Sequence, residues 1–370
     1  MKPVPVNSPL IGEKEKELLI KCLTTGWISS EGPFVEEFET KFASYIGRKH
    51  GISCSNGSGA LDIAIAALKL GKGDEVIMPT FTIISPALSI VRAGATPVLV
   101  DSDPITWNMD IEQVKQKVTS KTKAILVVHI YGLPVDMDPI LELCKKHNLY
   151  LIEDAAEVHG QEYKGIKCGN FGDISTFSFY PNKHITTGEG GMVLTNNDEL
   201  AARCKKLRNL AFEPDKPRFI HYELGWNYRM TNLQAALGLG QLERIDEHII
   251  KKRKIGNFYM ENLKKLKGVQ LPLEATEYSM NIFWVFGMVA ETEDLKNKIV
   301  KELSDKKIGT RPFFWCMHEQ PVFKEMSLFK NENYPVSEKL ARNGFYIPSG
   351  LGLDEEDMQV VSEQLNSILA

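Results

Sequence analysis

The sequence predicts an α/β protein, with a mostly parallel central sheet flanked by helices and a smaller C-terminal α+β domain. Three observations carry that class. Between residues 50 and 195, short β-branched runs alternate with helical stretches, as in strands joined by crossover helices. A long helical stretch from about Thr231 to Leu266 then leads into a region with its own strand and amphipathic helix. The 370 residues, 43% of them apolar, suffice for a large domain over residues 1–245 and a small one over residues 246–370.

Taken in order, the expected strands of the large domain are Glu75–Met78, Thr96–Val100, Ala124–Ile130, Leu149–Ile152, Ile174–Ser178 and Gly191–Thr195. Ser58–Leu70 repeats apolar residues at helical spacing, and Asp138–His147 opens with Asp then Pro, a suitable N-cap and first helical residue. A helix ending at Leu210 precedes a polar, proline-containing loop, FEPDKPRFIHYELG. In the small domain, Asn281–Val289 reads as a strand and Glu355–Leu369 as an amphipathic helix.

The charge balance excludes some classes of function. With 44 Lys+Arg against 48 Asp+Glu, the net charge is −4, and no run of like charges suggests a nucleic-acid arm. The six cysteines are scattered without CxxC or zinc-type His/Cys spacing, so they read as reduced thiols in a cytoplasmic protein with no metal site. The longest uncharged stretch, Val76 to Val91, is shorter than the roughly 18 residues a membrane span needs and contains Pro79 and Pro86. Neither secretion nor a membrane span is expected.

Three stretches carry the chemistry. Tyr180–Gly191 (YPNKHITTGEGG) places Lys183 in a glycine-containing turn between two predicted strands. A single lysine is ordinarily a solvated surface group, so the neighbourhood must decide. Leu151–Gly160 (LIEDAAEVHG) runs an apolar strand into Glu153 and Asp154, and strand carboxyl ends are where open α/β sheets bind ligands. Ser55–Ala60 (SNGSGA) opens a helix whose free amides and dipole suit a phosphate. An amine to form an imine, a carboxylate to hold a ring nitrogen protonated, and an anion cradle together suit pyridoxal phosphate. Dinucleotide, P-loop, zincin and GxSxG hydrolase patterns are missing from the sequence.

At this point the residues resemble a known family. EDAAEVHG, GDISTFSFYPNKHITTGEGGMV and NYRMTNLQAALG, with GWISSEGPFVEEFE, ATPVLVDSDP, VVHIYG and TRPFFWCMHEQP, are similar to the pyridoxal-phosphate sugar aminotransferases of fold type I. The resemblance spans essentially the whole chain and is strongest toward GDP-4-keto-6-deoxymannose 4-aminotransferases. It implies pyridoxal 5′-phosphate as cofactor, with pyridoxamine 5′-phosphate as intermediate. It also implies transfer of the amino group of L-glutamate to a nucleotide-linked 4-keto-6-deoxyhexose for surface polysaccharide synthesis, in a homodimer with composite active sites.

Residue by residue, the resemblance implies Lys183 as the imine-forming lysine, Asp154 on the pyridine nitrogen, and Glu157 near the phenolic oxygen. It implies Gly57, Ser58, Gly59 and Ser178 around the phosphate, with Asn227 reaching the neighbouring subunit's cofactor. In PTFTI, Ile83 stands where relatives usually carry an aromatic ring over the cofactor. Arg311 and His318 are implied as substrate contacts, and Trp27, Ser29 and Ser30 as lining for the sugar site; His129 reads as structural. Three alternatives stay open: a UDP- or dTDP-linked sugar, a sugar dehydratase of the same family, and a non-catalytic regulator on the same fold. Dehydratase relatives replace the lysine with His, whereas Lys183 is retained here beside His184.

Overall fold

In the computed structural model, which describes residues 2–369, the central sheet has seven strands. In chain order they are β1 (His50–Cys54), β2 (Glu75–Pro79), β3 (Thr96–Val100), β4 (Thr122–Val128), β5 (Tyr150–Asp154), β6 (Ile174–Ser178) and β7 (Gly191–Thr195). Their spatial order is β1-β7-β6-β5-β4-β2-β3. The β2/β3, β2/β4, β4/β5 and β5/β6 pairs are parallel, while β7 runs antiparallel to both β6 and β1. All strands except β7 therefore point the same way, and helices cover both faces. The strand interiors are almost continuously buried, as expected for a sheet covered on both sides.

The sequence reading did not include β1 or the helices Glu13–Thr25 and Pro33–Ile46. The second of these packs Phe38 and Phe42 onto the rings of Phe177 and Phe179, at the end of β6. The helix expected at Asp138 begins at Met137 with Asp136 in the N-cap position. Asp138 lies in its first turn and pairs with Lys164 at 2.5 Å.

The stretch from Thr231 to Leu266 is two helices, Asn232–Leu242 and Ile245–Leu263. Arg244 leaves helical geometry between them (φ −115°, ψ 13°), with its guanidinium 3.7 Å from Glu15 and 3.4 Å from Glu247. Ile245 and Ile249 pack into the core around the central sheet, whereas Ile255, Tyr259 and Leu263 pack with the C-terminal helix Glu355–Leu369. That second core surrounds a four-stranded antiparallel sheet, in the order Val269–Gln270, Phe286–Ala290, Gly344–Ile347 and Arg311–Pro312. Val4, near the start of the chain, bridges Ile308 and joins the same core.

Asn281–Val289 is not a continuous strand: pairing begins only at Phe286. Asn281 Oδ1 accepts a hydrogen bond from the Phe283 amide at 2.7 Å, and Phe283 takes a left-handed backbone (φ 52°). That local turn interrupts the extended run just before Trp284. Among the described residues no helix is long and apolar enough to cross a membrane, and all six cysteines are free and buried.

Candidate active site

The carboxyl ends of β4, β5 and β6 open onto a cavity of about 710 Å³. β5 delivers Asp154, opposite Thr176 of β6, and both line the cavity. Helix Gly57–Ala67 enters end-on, bringing Gly57 and Ser58. Ser178 closes β6, and the turn after it carries Lys183. The mouth is formed by Ile83, Tyr180, Phe314 and Tyr346.

Local structure explains each placement. The Lys183 amide donates to the Tyr180 carbonyl at 2.9 Å, closing a turn that the Thr187 amide ties back to the Phe179 carbonyl at 3.0 Å. Asp154 Oδ1 accepts from the Ala156 amide at 3.2 Å. Glu157 Oε2 accepts from the Tyr131 amide at 2.8 Å, an amide aimed there by the left-handed backbone of Tyr131 (φ 55°, ψ 20°). Behind the site, Glu153 accepts from the amides of Phe171 (3.0 Å) and Gly172 (3.1 Å) and contacts His129 Nε2 at 3.0 Å. His129 Nδ1 accepts from the Val135 amide at 3.0 Å, which leaves Nε2 as the donor to Glu153. His129 is thus held in the structure behind Asp154.

Burial governs the electrostatics. It pushes Asp154 up to about 6, partly opposed by the Ala156 amide and by Lys183. Glu157 is raised above the usual carboxylate range by burial, with Lys183 and the Tyr131 amide pulling the other way. Lys183 is lowered by burial, against the attraction of Glu157 and Asp154, and its Nζ lies 3.9 Å from Glu157 Oε1. His159 is lowered to about 3 by burial and by Lys183, and His184 is also held neutral by burial.

These groups fit a phosphorylated pyridine aldehyde. A Cβ on Gly57 would fall 2.7 Å from Ser178 Cβ, so glycine keeps the helix N-terminus and that serine in close approach. Ser58 Oγ lies 2.7 Å from Ser85 Oγ, which adds hydroxyls beside free amides. Thr176 Oγ1 and Asn182 Oδ1 are buried on the cavity wall without a partner among the described residues. The donor set therefore offers an anion cradle, an acid for a ring nitrogen, and an amine.

Of the residues singled out from sequence, the cavity brings together Lys183, Asp154, Glu157, Gly57, Ser58, Ser178 and Ile83. The Gly59 amide is instead occupied by the N-cap, donating to Asn56 Oδ1 at 2.7 Å. Asn227 is exposed and forms an isolated bridge to Asn209, outside this cavity. Arg311 is exposed and pairs along the backbone with Tyr346 of the cavity mouth. His318 is buried, is held by Thr80 Oγ1 at 2.9 Å and Glu338 Oε1 at 3.1 Å, and does not line the cavity. Trp27, Ser29 and Ser30 do not line it either: Asn232 takes up the carbonyls of Trp27 (2.7 Å) and Ser29 (2.9 Å), and Ser30 borders a separate depression.

One wall residue escapes sequence reasoning. Trp284 lines the cavity with its ring centroid 3.7 Å from Lys183 Nζ, and Tyr131, whose amide bonds Glu157, packs its ring 6.0 Å from that of Trp284. The apolar run around Trp284 looks like ordinary strand, so its pattern contains no signal for a site residue.

Comparison with known proteins agrees with the geometry. A GDP-perosamine synthase of Escherichia coli O157:H7 is 43% identical over 99% of this chain and 98% of its own length. A GDP-perosamine synthase of Caulobacter vibrioides is 42% identical over 99% of this chain and 98% of its own. Among solved structures, a putative sugar aminotransferase of Streptococcus pneumoniae in its PMP form superposes with a TM-score of 0.92 at 25% identity, covering 99% of this chain and 97% of that one. The model of the DegT/DnrJ/EryC1/StrS aminotransferase family matches residues 9–366, and the chain belongs to that family.

Proposed function

We propose that this protein is a pyridoxal-phosphate-dependent sugar aminotransferase that moves the amino group of L-glutamate to the 4-keto group of GDP-4-keto-6-deoxymannose, yielding GDP-perosamine. The observation that carries the reaction class is the convergence of Lys183, Asp154 and the Gly57 helix N-terminus on one cavity, in a chain of this family. The GDP-linked sugar is supported by the two GDP-perosamine synthases to which the whole chain is similar.

Pyridoxal 5′-phosphate, when bound, supplies a carbonyl carbon for the amino group and a ring that accepts the electron pair left at the substrate carbon. Asp154 would hold the proton on that group's ring nitrogen. Ser58, Ser178 and the amides at the start of the Gly57 helix would hold its phosphate. Lys183 Nζ removes the α-proton of glutamate in one half-reaction and delivers a proton to sugar C4 in the other. Burial lowers the pKa of that amine, against the pull of Glu157 and Asp154, which favours the neutral form able to act as base. Glu157, 3.9 Å from Lys183 Nζ, would stand on the side of the cofactor's phenolic oxygen.

Arg311, beside Tyr346 at the mouth, reaches for the diphosphate of the sugar nucleotide. Two chains form a homodimer in which Asn227 of the partner subunit completes the phosphate site, which suits its exposure here. The setting is cytoplasmic synthesis of a surface polysaccharide such as O-antigen. The test is a panel of GDP-, UDP- and dTDP-linked 4-keto-6-deoxyhexoses offered with L-glutamate, with products weighed by mass spectrometry. The expected result is amination of the GDP-linked mannose derivative; turnover confined to UDP or dTDP sugars would overturn the choice of substrate.

A further inference from the structure

We propose that Trp284 is a positioning residue for Lys183, gripping its turn through the indole N–H and seating the free amine against the indole face. Both contacts come from one side chain. Trp284 Nε1 donates to the Asn182 carbonyl at 2.8 Å, and Asn182 immediately precedes Lys183. Lys183 Nζ stands 3.7 Å from the ring centroid, within the range where an ammonium is attracted to an aromatic quadrupole.

The seat is itself fixed. Lys252, fully buried on helix Ile245–Leu263, donates to the Trp284 carbonyl at 2.7 Å and the Ser349 carbonyl at 2.5 Å. The left-handed backbone at Phe283 turns the chain just before Trp284, and only 3% of Trp284 is exposed. The backbone at Trp284 is thus tied to helix Ile245–Leu263 through Lys252, while its side chain holds the turn that bears the reacting amine.

The charged and titratable groups around Lys183 do not provide an equivalent seat. Glu157 is 3.9 Å away, beyond hydrogen-bond distance, and Asp154 acts on Lys183 only through its field. The neighbouring rings of His159 and His184 are neutral at ordinary pH and have no hydrogen-bond partners among the described residues. The indole face is therefore the close contact that favours the ammonium form. It keeps the amine at a defined place whenever it is not bonded to cofactor, and proton transfer depends on such placement.

The inference rests on Lys183 being the reacting amine, and the experiment separates the two claims. Borohydride reduction of the cofactor-loaded protein, followed by peptide mass spectrometry, must leave the cofactor on Lys183; attachment elsewhere overturns both. The cofactor-free full-length chain is then treated with an amine-acylating reagent across a pH series, and the rate at Lys183 is read by the same method. Trp284→Leu should shift the midpoint of that rate profile to lower pH, corresponding to about tenfold weaker protonation, because the ring no longer favours the ammonium. Trp284→Phe, which keeps a π face but lacks the N–H, should lie between Trp284→Leu and wild type. A merely structural tryptophan would change the plateau rate through access and leave the midpoint in place. An unchanged midpoint in Trp284→Phe and, where it folds, in Trp284→Leu, with reduction still landing on Lys183, overturns the proposal for Trp284 alone.

Discussion

Lys183 Nζ faces Glu157 Oε1 across 3.9 Å in the buried wall of the cavity, so an amine and a carboxyl group share one environment. Burial raises Glu157 and lowers Lys183, which draws the pair toward its neutral form. A carboxyl raised above its usual value of 4.5 in the folded chain keeps a proton that the unfolded chain releases. Its contribution to stability therefore declines as pH rises from about 4.5 until the folded carboxyl ionises. In the cofactor-free protein, Glu157→Gln should gain thermal stability relative to wild type as pH is raised from 5 to 9. Melting temperatures in a pH series check this; a constant gap between the two proteins would contradict it.

Asp154 stands at about 6 in the cofactor-free chain, raised by burial. Holding a protonated ring nitrogen requires the ionised carboxylate, so below that pH binding must first remove a proton. Cofactor affinity should fall as pH drops through about 6 in wild type. Asp154→Asn should show weaker binding with that component of the pH dependence gone, and turnover lower by several orders of magnitude. Equilibrium titration of both proteins between pH 5 and 8 measures the difference, in which the cofactor's own titrations cancel.

His318 links Thr80, just past β2, to Glu338 of helix Pro335–Asn343. His318→Ala should lower the free energy of unfolding by about 1–3 kcal/mol, since it leaves the buried Thr80 hydroxyl and the half-buried Glu338 without their imidazole partner. Arg311→Ala, at an exposed position beside the mouth, should leave stability nearly unchanged and raise KM for the sugar nucleotide far more than it slows the glutamate half-reaction. Chemical denaturation and steady-state kinetics on both variants distinguish the roles. A large KM effect from His318→Ala without loss of stability would return it to the substrate site.

If Asn227 serves the partner's cofactor, two inactive proteins should rescue each other. In mixed dimers of Lys183→Ala and Asn227→Ala, one site lacks both groups and the other is intact. A statistical mixture then recovers about 25% of wild-type activity, because half the dimers are mixed and half their sites are complete. Activity that stays at the single-variant background after co-expression or refolding together would assign Asn227 to its own chain's site.

What could be read from the sequence follows the range of the interactions involved. Lys183, Asp154 and the Gly57 turn stand out because each sits where local pattern ends an element: a strand carboxyl end, a loop between strands, a helix N-terminus. The parallel sheet was equally legible from its alternating runs. The break at Arg244 was not, because ion pairs to Glu15 and Glu247 flank it and one of those partners is far away in sequence. Trp284 was hidden in an apolar run whose extended geometry is interrupted by one Asn281 side chain. The burial of His318 depends on Thr80 and Glu338 meeting across the fold, which no local spacing encodes.

The central claim is that Lys183 carries an amino group from glutamate to a GDP-linked keto sugar. Its most direct measurement supplies ¹⁵N-labelled L-glutamate and GDP-4-keto-6-deoxymannose to the cofactor-loaded protein and weighs the sugar nucleotide. Wild type should yield a product in which ¹⁵NH₂ and hydrogen replace the keto oxygen, with one 2-oxoglutarate formed per sugar, and Lys183→Ala should yield essentially none. Product formation by Lys183→Ala at a rate near wild type, or loss of water from the sugar without nitrogen gain in wild type, would contradict the account.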